Sequence, residues 1–179
     1  MPKLKLLILD ANVVIYLQEK ALWRSLLDRS DVYLSRLVAE YEVRYYHGPE
    51  WDEIIDLTPD IGAGLVHGFD VSVSAIQRFR AQFDLPYLGD LDDGEAESLA
   101  FMMEATDRYL ISSGDAIVYR ILGNLNRAEA GISLEEILQR IGLAQNDLAR
   151  QYSREFRESH TRTGQQDAIQ GRGCRQRKK

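Results

Sequence analysis

Four carboxylates stand where an alternating strand–helix chain would bring them to one edge of a sheet: Asp10, Glu40, Glu95 and Asp115. Asp10 ends the apolar run Leu4-Lys5-Leu6-Leu7-Ile8-Leu9, and Asp115 closely follows the run Tyr109-Leu110-Ile111-Ser112-Ser113. Short apolar runs of this kind read as buried parallel strands, and open α/β folds bind ligands beyond the carboxyl ends of such strands. Glu40 lies five residues after Ser35, at the end of a second strand. Glu95 falls on the edge of a helix face centred on Ala96, Leu99 and Met103, whereas Glu97 and Glu104 point away at 100° per residue. Glu42, Glu97 and Asp93 are the alternates. Each acid also has a plainer reading: Asp10 and Asp115 as helix N-caps, Glu95 as an acid favoured at a helix N-terminus, Glu40 as a solvated helix residue. Taken together, four converging carboxylates repel one another unless a cation sits between them. An all-oxygen set suits Mg²⁺ or Mn²⁺. His47, His67 and His160 are scattered and read as structural or surface residues, and with no His or Cys cluster a zinc site is not favoured.

The elements that must position these acids follow in order. Helical spacing runs from Val13 to Leu27, a strand over Asp31–Ser35, and a helix from Leu37 to Tyr46 that His47-Gly48-Pro49 stops. Residues 50–70 allow two short strands, Trp51 to Leu57 and Leu65 to Val71, joined by a Pro/Gly-containing connection. Ser72 or Ser74 caps a helix to Phe83, Asp93-Gly94 opens one running to Thr106, and a helix follows Asp115 to Leu122. Ala130-Gly131-Ile132 reads as a last short strand. Ser133-Leu134-Glu135-Glu136 is a capping box that starts a helix to Ile141. Strands alternating with helices imply an α/β fold, a three-layer α/β/α arrangement around a central, mostly parallel sheet. The expected organisation is a domain over 1–144 with an irregular insert at about 47–84, an additional helix over 145–159, and a basic tail over 160–179 whose polar composition predicts disorder.

The net charge of −6 conceals an asymmetry: residues 150–179 carry nine of the 22 Lys+Arg and three of the 28 Asp+Glu, so this segment is +6 and the body is −12. An acidic body attracts a polyanion only through bound cations or a basic appendage. Arg36, Arg44, Arg120 and the tail cations are the candidates for holding a phosphate backbone. No stretch has the length of a membrane span, Met1-Pro2-Lys3 leads directly into the first strand without a secretory signal, and the single Cys174 excludes an internal disulfide framework; a cytoplasmic location is expected.

The ordered set Leu7-Ile8-Leu9-Asp10-Ala11-Asn12-Val13, Ser35-x4-Glu40, Leu91-x2-Gly94-Glu95-Ala96-Glu97-Ser98-Leu99-Ala100 and Leu110-Ile111-Ser112-Ser113-Gly114-Asp115 resembles the PIN domain family over about residues 4–142. The resemblance implies a VapC-like, metal-dependent endoribonuclease, the toxin of a toxin–antitoxin pair in many relatives, with Asp10, Glu40, Glu95 and Asp115 as its acidic quartet and Mg²⁺ or Mn²⁺ as cofactor. It further implies RNA as substrate, a cognate antitoxin and a homodimer as partners, Asn12 as a residue orienting Asp10 or a water beside the ion, and Ser113 as a small hydroxyl residue of the site. Gly114 and Ala116 depart from the pattern, in which a bulkier residue and a further acid are common. One alternative on the same fold is a catalytically inactive module for binding or regulation. Another, a phosphotransfer fold of the haloacid dehalogenase type, wants an acid where Asn12 stands, and a response-regulator receiver wants a lysine after a late strand.

Overall fold

The computed structural model describes residues 3–174. Strand β1 (Leu4–Leu9) is followed by α1 (Ala11–Glu19), α2 (Trp23–Leu27) and β2 (Ser30–Ser35). A π-helical turn (Val38–Glu42) leads into a hairpin of β3 (Tyr45–His47) and β4 (Asp52–Ile54). Then come α3 (Thr58–Gly62), β5 (Val66–Phe69), α4 (Val73–Arg80), α5 (Asp93–Glu104), β6 (Leu110–Ser112), α6 (Ala116–Asn124), α7 (Leu134–Arg140) and α8 (Arg154–Ile169). The central sheet has the order β5-β2-β1-β6 and every pairing in it is parallel. Its carboxyl ends therefore share one edge.

Alternation along β1 builds the layers. Leu7 and Leu9 belong to the core shared with α1, α2 and α7, and Ile8 to the core shared with α4, α5 and α6. All three are fully buried, each stabilising the fold by about 2 kcal/mol relative to exposure. The fold is thus three-layered, α/β/α. β1 carries an irregularity: the register against β2 shifts between Leu4 and Leu7, where Leu6 has a φ of 56°. No described helix is long and apolar enough to cross a membrane.

Several elements differ from the sequence expectation, each for a local reason. The helix expected over Val13–Leu27 breaks in two, because Ala21 adopts φ 54° while Ala21 and Leu22 donate back to Gln18 and Leu17. This is a Schellman closure with alanine where glycine is usual, so no residue type announced it. The helix expected from Leu37 to Tyr46 is a single π turn, closed by the Val43 N–H to the Val38 carbonyl at 3.0 Å, after which the aromatic residues pair as a strand with Tyr45 opposite Ile54. Of the two strands expected in 50–70, only β5 joins the sheet. The insert is anchored by Asp60, buried under α2, which accepts from the Trp23 indole at 2.8 Å and pairs with Arg24.

The disorder expected from His160 is contradicted: α8 is one helix to Ile169, packed along α6. Little apolar surface is needed because the two backbones meet at glycines. A Cβ on Gly123 would collide with the Thr161 carbonyl, and one on Gly164 with the Arg120 carbonyl. Part of the segment's charge is spent on the body, since Arg157 grips the Glu136 carboxylate with bonds of 2.7 and 3.1 Å. Cys174 is half-buried, with its Sγ 2.9 Å from Asn124 Oδ1. Arg175, Arg177, Lys178 and Lys179 lie outside the described residues. Gly164→Ala is expected to lower stability by about 3 kcal/mol, since backbone rather than a flexible side chain must move; denaturant unfolding checks this, and a loss under 1 kcal/mol would show that α8 is loosely held.

Candidate metal centre

The shared carboxyl edge of the sheet collects the acids. Asp10 follows β1 and is held by the Asp10 N–H donating to the Ser112 carbonyl at 3.1 Å. Its side chain is 3% exposed; Oδ1 accepts from the Ala11 N–H at 2.8 Å and Oδ2 from the Ser113 hydroxyl at 3.0 Å. The same hydroxyl lies 3.2 Å from Glu95 Oε1 and accepts from the Asp115 N–H at 2.9 Å. With a single proton to give, Ser113 satisfies one of the two carboxylates at a time. Glu95 is 1% exposed and sits in the first turn of α5.

Asp115 occupies the N-cap position of α6, yet its side chain makes no capping bond. Its carboxylate instead accepts from Asn12 Nδ2 at 2.7 Å, while Asn12 Oδ1 accepts from the Gly114 N–H at 2.9 Å. Space at Gly114 is tight, since a Cβ would approach Asn12 and the Tyr152 ring at 3.0–3.2 Å. Tyr152 in turn donates to the Asn12 carbonyl at 3.1 Å, so residues beyond the expected domain end support Asn12.

Glu40, expected as the fourth ligand, is not at the site. It is exposed and pairs with Arg36 at 3.6 Å, while Arg36 also reaches Asp70 at 2.9 Å. The alternate Glu42 is there instead. The expectation assumed α-helical rotation after Ser35; the π turn changes the direction of each successive side chain, and such turns recur at functional sites. Glu42 meets the start of α5 at Gly94, where a Cβ would strike its carboxylate, and Glu42 Oε2 is buried without a hydrogen-bond partner. The other alternates are excluded. Asp93 is exposed and pairs with Arg80 at 2.8 Å. Glu97 does not point to solvent as the helical wheel implied; it is buried outside the two acid groups, near enough for its charge to raise Glu42, and accepts from the Val71 N–H at 3.2 Å.

Asp92 is the residue that sequence reasoning missed. It is the N-cap of α5 in a reciprocal capping box with Glu95, accepting from the Glu95 N–H at 2.7 Å. The pattern Asp92-x-x-Glu95 is a capping box legible in the sequence. Carboxylate oxygens of Asp10, Glu95 and Asp115 lie within 4.8 Å of one another, as do those of Asp10, Glu42 and Asp92. The two groups share Asp10.

The electrostatics follow from this crowding. Burial, then the Asp92 charge, pushes Asp10 up to about 7. Burial, then Asp10, raises Glu95 to about 9, and burial with Asp92 raises Glu42 to about 7. Asp115 is raised by the same causes, offset by the Asn12 amide. Among the described residues, no Lys, Arg or His pairs with any of these acids. An all-carboxylate donor set, one orphaned carboxylate oxygen and no compensating side-chain cation fit a hard divalent ion. The candidate arginines are elsewhere engaged: Arg36 with acids as above, Arg120 with the buried Asp167 at 3.1 Å, and Arg44 with the Tyr41 carbonyl at 2.9 Å.

No family model, curated protein or solved structure matches this chain.

Glu42→Gln is expected to weaken Mn²⁺ binding about 10- to 100-fold, and Glu40→Gln to leave it within about twofold. Calorimetric titration of both variants measures this. Equal losses in the two would return Glu40 to the site.

Proposed function

We propose that the protein is a divalent-cation-dependent ribonuclease of PIN-like kind, with Asp10, Glu42, Glu95 and Asp115 as ligands and Asp92 at the margin. The observation that carries this reading is the pair of overlapping acid groups hinged on buried Asp10 at the carboxyl edge of a parallel sheet. A bound Mg²⁺ or Mn²⁺ would polarise a phosphate oxygen and make a water more nucleophilic at neutral pH. The chain's own residues hold and orient. Ser113 places its hydroxyl between Asp10 and Glu95, and Asn12 fixes Asp115. The carboxylates act as holders of charge; Asp10, already engaged through both oxygens, is not a nucleophile in this scheme. RNA as substrate, a cognate antitoxin and a homodimer rest on the PIN resemblance.

The test is cleavage of a fluorogenic RNA with added Mn²⁺ or Mg²⁺ and with EDTA, beside a direct Mn²⁺ titration. Cation-dependent cleavage with matching cation binding is expected. Cleavage undiminished by EDTA, or no binding at millimolar Mn²⁺, overturns the proposal.

A further inference from the structure

A second surface lies on the other side of the π turn. Between that turn, the β3–β4 hairpin and α3 runs a groove of about 730 Å³ whose apolar lining includes Ala39, Val43, Tyr45, Ile54, Leu57 and Ile61. Tyr45 is 50% exposed, Ile54 87% and Ile61 40%; Tyr41 in the turn and Trp51 in the hairpin are 59% and 70% exposed. Tyr45, Ile54 and Ile61 line the groove as an open apolar floor, and Tyr41 and Trp51 add exposed aromatic surface on the turn and the hairpin. A two-stranded hairpin with its apolar residues in water is marginal by itself, so this exposure costs stability unless something covers it.

We propose that this groove docks a basic, apolar polypeptide segment from a partner protein. Charge selects the occupant. Residues 45–56 contain Glu50, Asp52, Glu53 and Asp56 and no Lys or Arg; Asp56 and Glu40 line the groove beside Arg44, with Glu40 also reaching Arg36, and the other three acids stand on the hairpin at its rim. A nucleic acid stacking on Tyr45 and Trp51 would meet these acids with few cations to neutralise its phosphates. A second copy of the chain would set the same acids face to face. A segment interleaving Lys or Arg with Leu, Ile or Phe satisfies both the apolar floor and the acidic rim. Ala39 and Val43 line the groove while Glu42, between them in sequence, reaches Gly94 and the acids. The docking surface and the metal centre thus share one turn, but this proposal does not depend on the nuclease reading.

The test selects a random 12-residue peptide library against the intact protein, then measures labelled winners by fluorescence anisotropy. Enriched peptides are expected to be net positive with interleaved apolar residues, and to bind at least about 10-fold more weakly to Ile54→Ser and to Ile61→Ser. Both positions are exposed, and circular dichroism confirms that the variants fold. Asp52→Asn with Asp56→Asn is expected to remove most of the salt dependence. No enrichment, enrichment without positive charge, or equal binding to the Ile54 and Ile61 variants overturns the proposal. So does binding of a 12-residue oligouridine that Ile54→Ser abolishes, or a dimer by light scattering that the same change dissolves.

Discussion

Asp10→Asn is expected to remove Mn²⁺ binding and to lower RNA cleavage by about 1,000-fold or more, some 4 kcal/mol of transition-state stabilisation, while raising the melting temperature of the metal-free protein. The two effects share one cause. Asp10 is 3% exposed, and burial beside Asp92 raises it to about 7, so at pH 8 the folded state carries an ionised carboxylate at a cost. Asparagine keeps an oxygen for the Ala11 N–H and drops the charge. The plainer role of Asp10, capping α1, predicts something else: Asn is as good a cap as Asp, so stability would hardly move. The checks are Mn²⁺ calorimetry, cleavage assays and thermal unfolding in EDTA at pH 8. Loss of activity with loss of stability would make Asp10 a structural acid. Retained cleavage would remove the metal centre altogether.

The second large effect is a pH dependence that Mn²⁺ opposes. Without metal, Asp10 and Glu95 stand at about 7 and about 9 in the folded state, against ordinary values of 3.8 and 4.5, and Glu42 stands at about 7. The folded state binds these protons more tightly than the unfolded chain. Stability from these groups is therefore full near pH 4 and falls as pH rises from there, the Asp10 and Glu42 share being lost by about 7 and the Glu95 share by about 9. The loss between pH 5.5 and 9 is on the order of several kcal/mol, about 10 °C or more in melting temperature for a chain of this size. Mn²⁺ requires the deprotonated carboxylates, so its stabilisation grows in the same direction and fades toward pH 5.5, where protons compete. Thermal unfolding from pH 5.5 to 9, with EDTA and with millimolar Mn²⁺, reads both slopes. A flat profile in EDTA would show that the acids are better solvated than their burial implies. A Mn²⁺ effect independent of pH would place the ion elsewhere.

Most of the scaffold was legible because it depends on local pattern. Apolar runs ending on Asp10 and shortly before Asp115 announced buried strands, and alternation of strand and helix announced the layered fold. Ser133 and Glu136 announced their capping box, which α7 has. The same rule applied to Asp92 and Glu95 would have found the missing acid, because the cap bonds there are equally local.

What escaped the sequence depends on contacts across the chain. The choice between Glu40 and Glu42 turned on a π turn closed from Val38 to Val43, which no residue type in that stretch specifies. Glu97 was hidden from a helical-wheel reading because its partner, the Val71 N–H, comes from a different element. The part of α8 from His160 to Ile169 reads as a disordered tail because its buried face is made of Thr161, Gly164 and Asp167, and its fit to Gly123 exists only once both helices are in place. The sequence by itself thus determined that β1, β2, β5 and β6 form, how the layers stack, and that Asp10 and Asp115 follow two of these strands, since hydrophobic periodicity acts within a few residues. The tertiary structure alone decided which glutamate completes the acid cluster and whether the C-terminal segment folds, since both rest on one backbone's close approach to another.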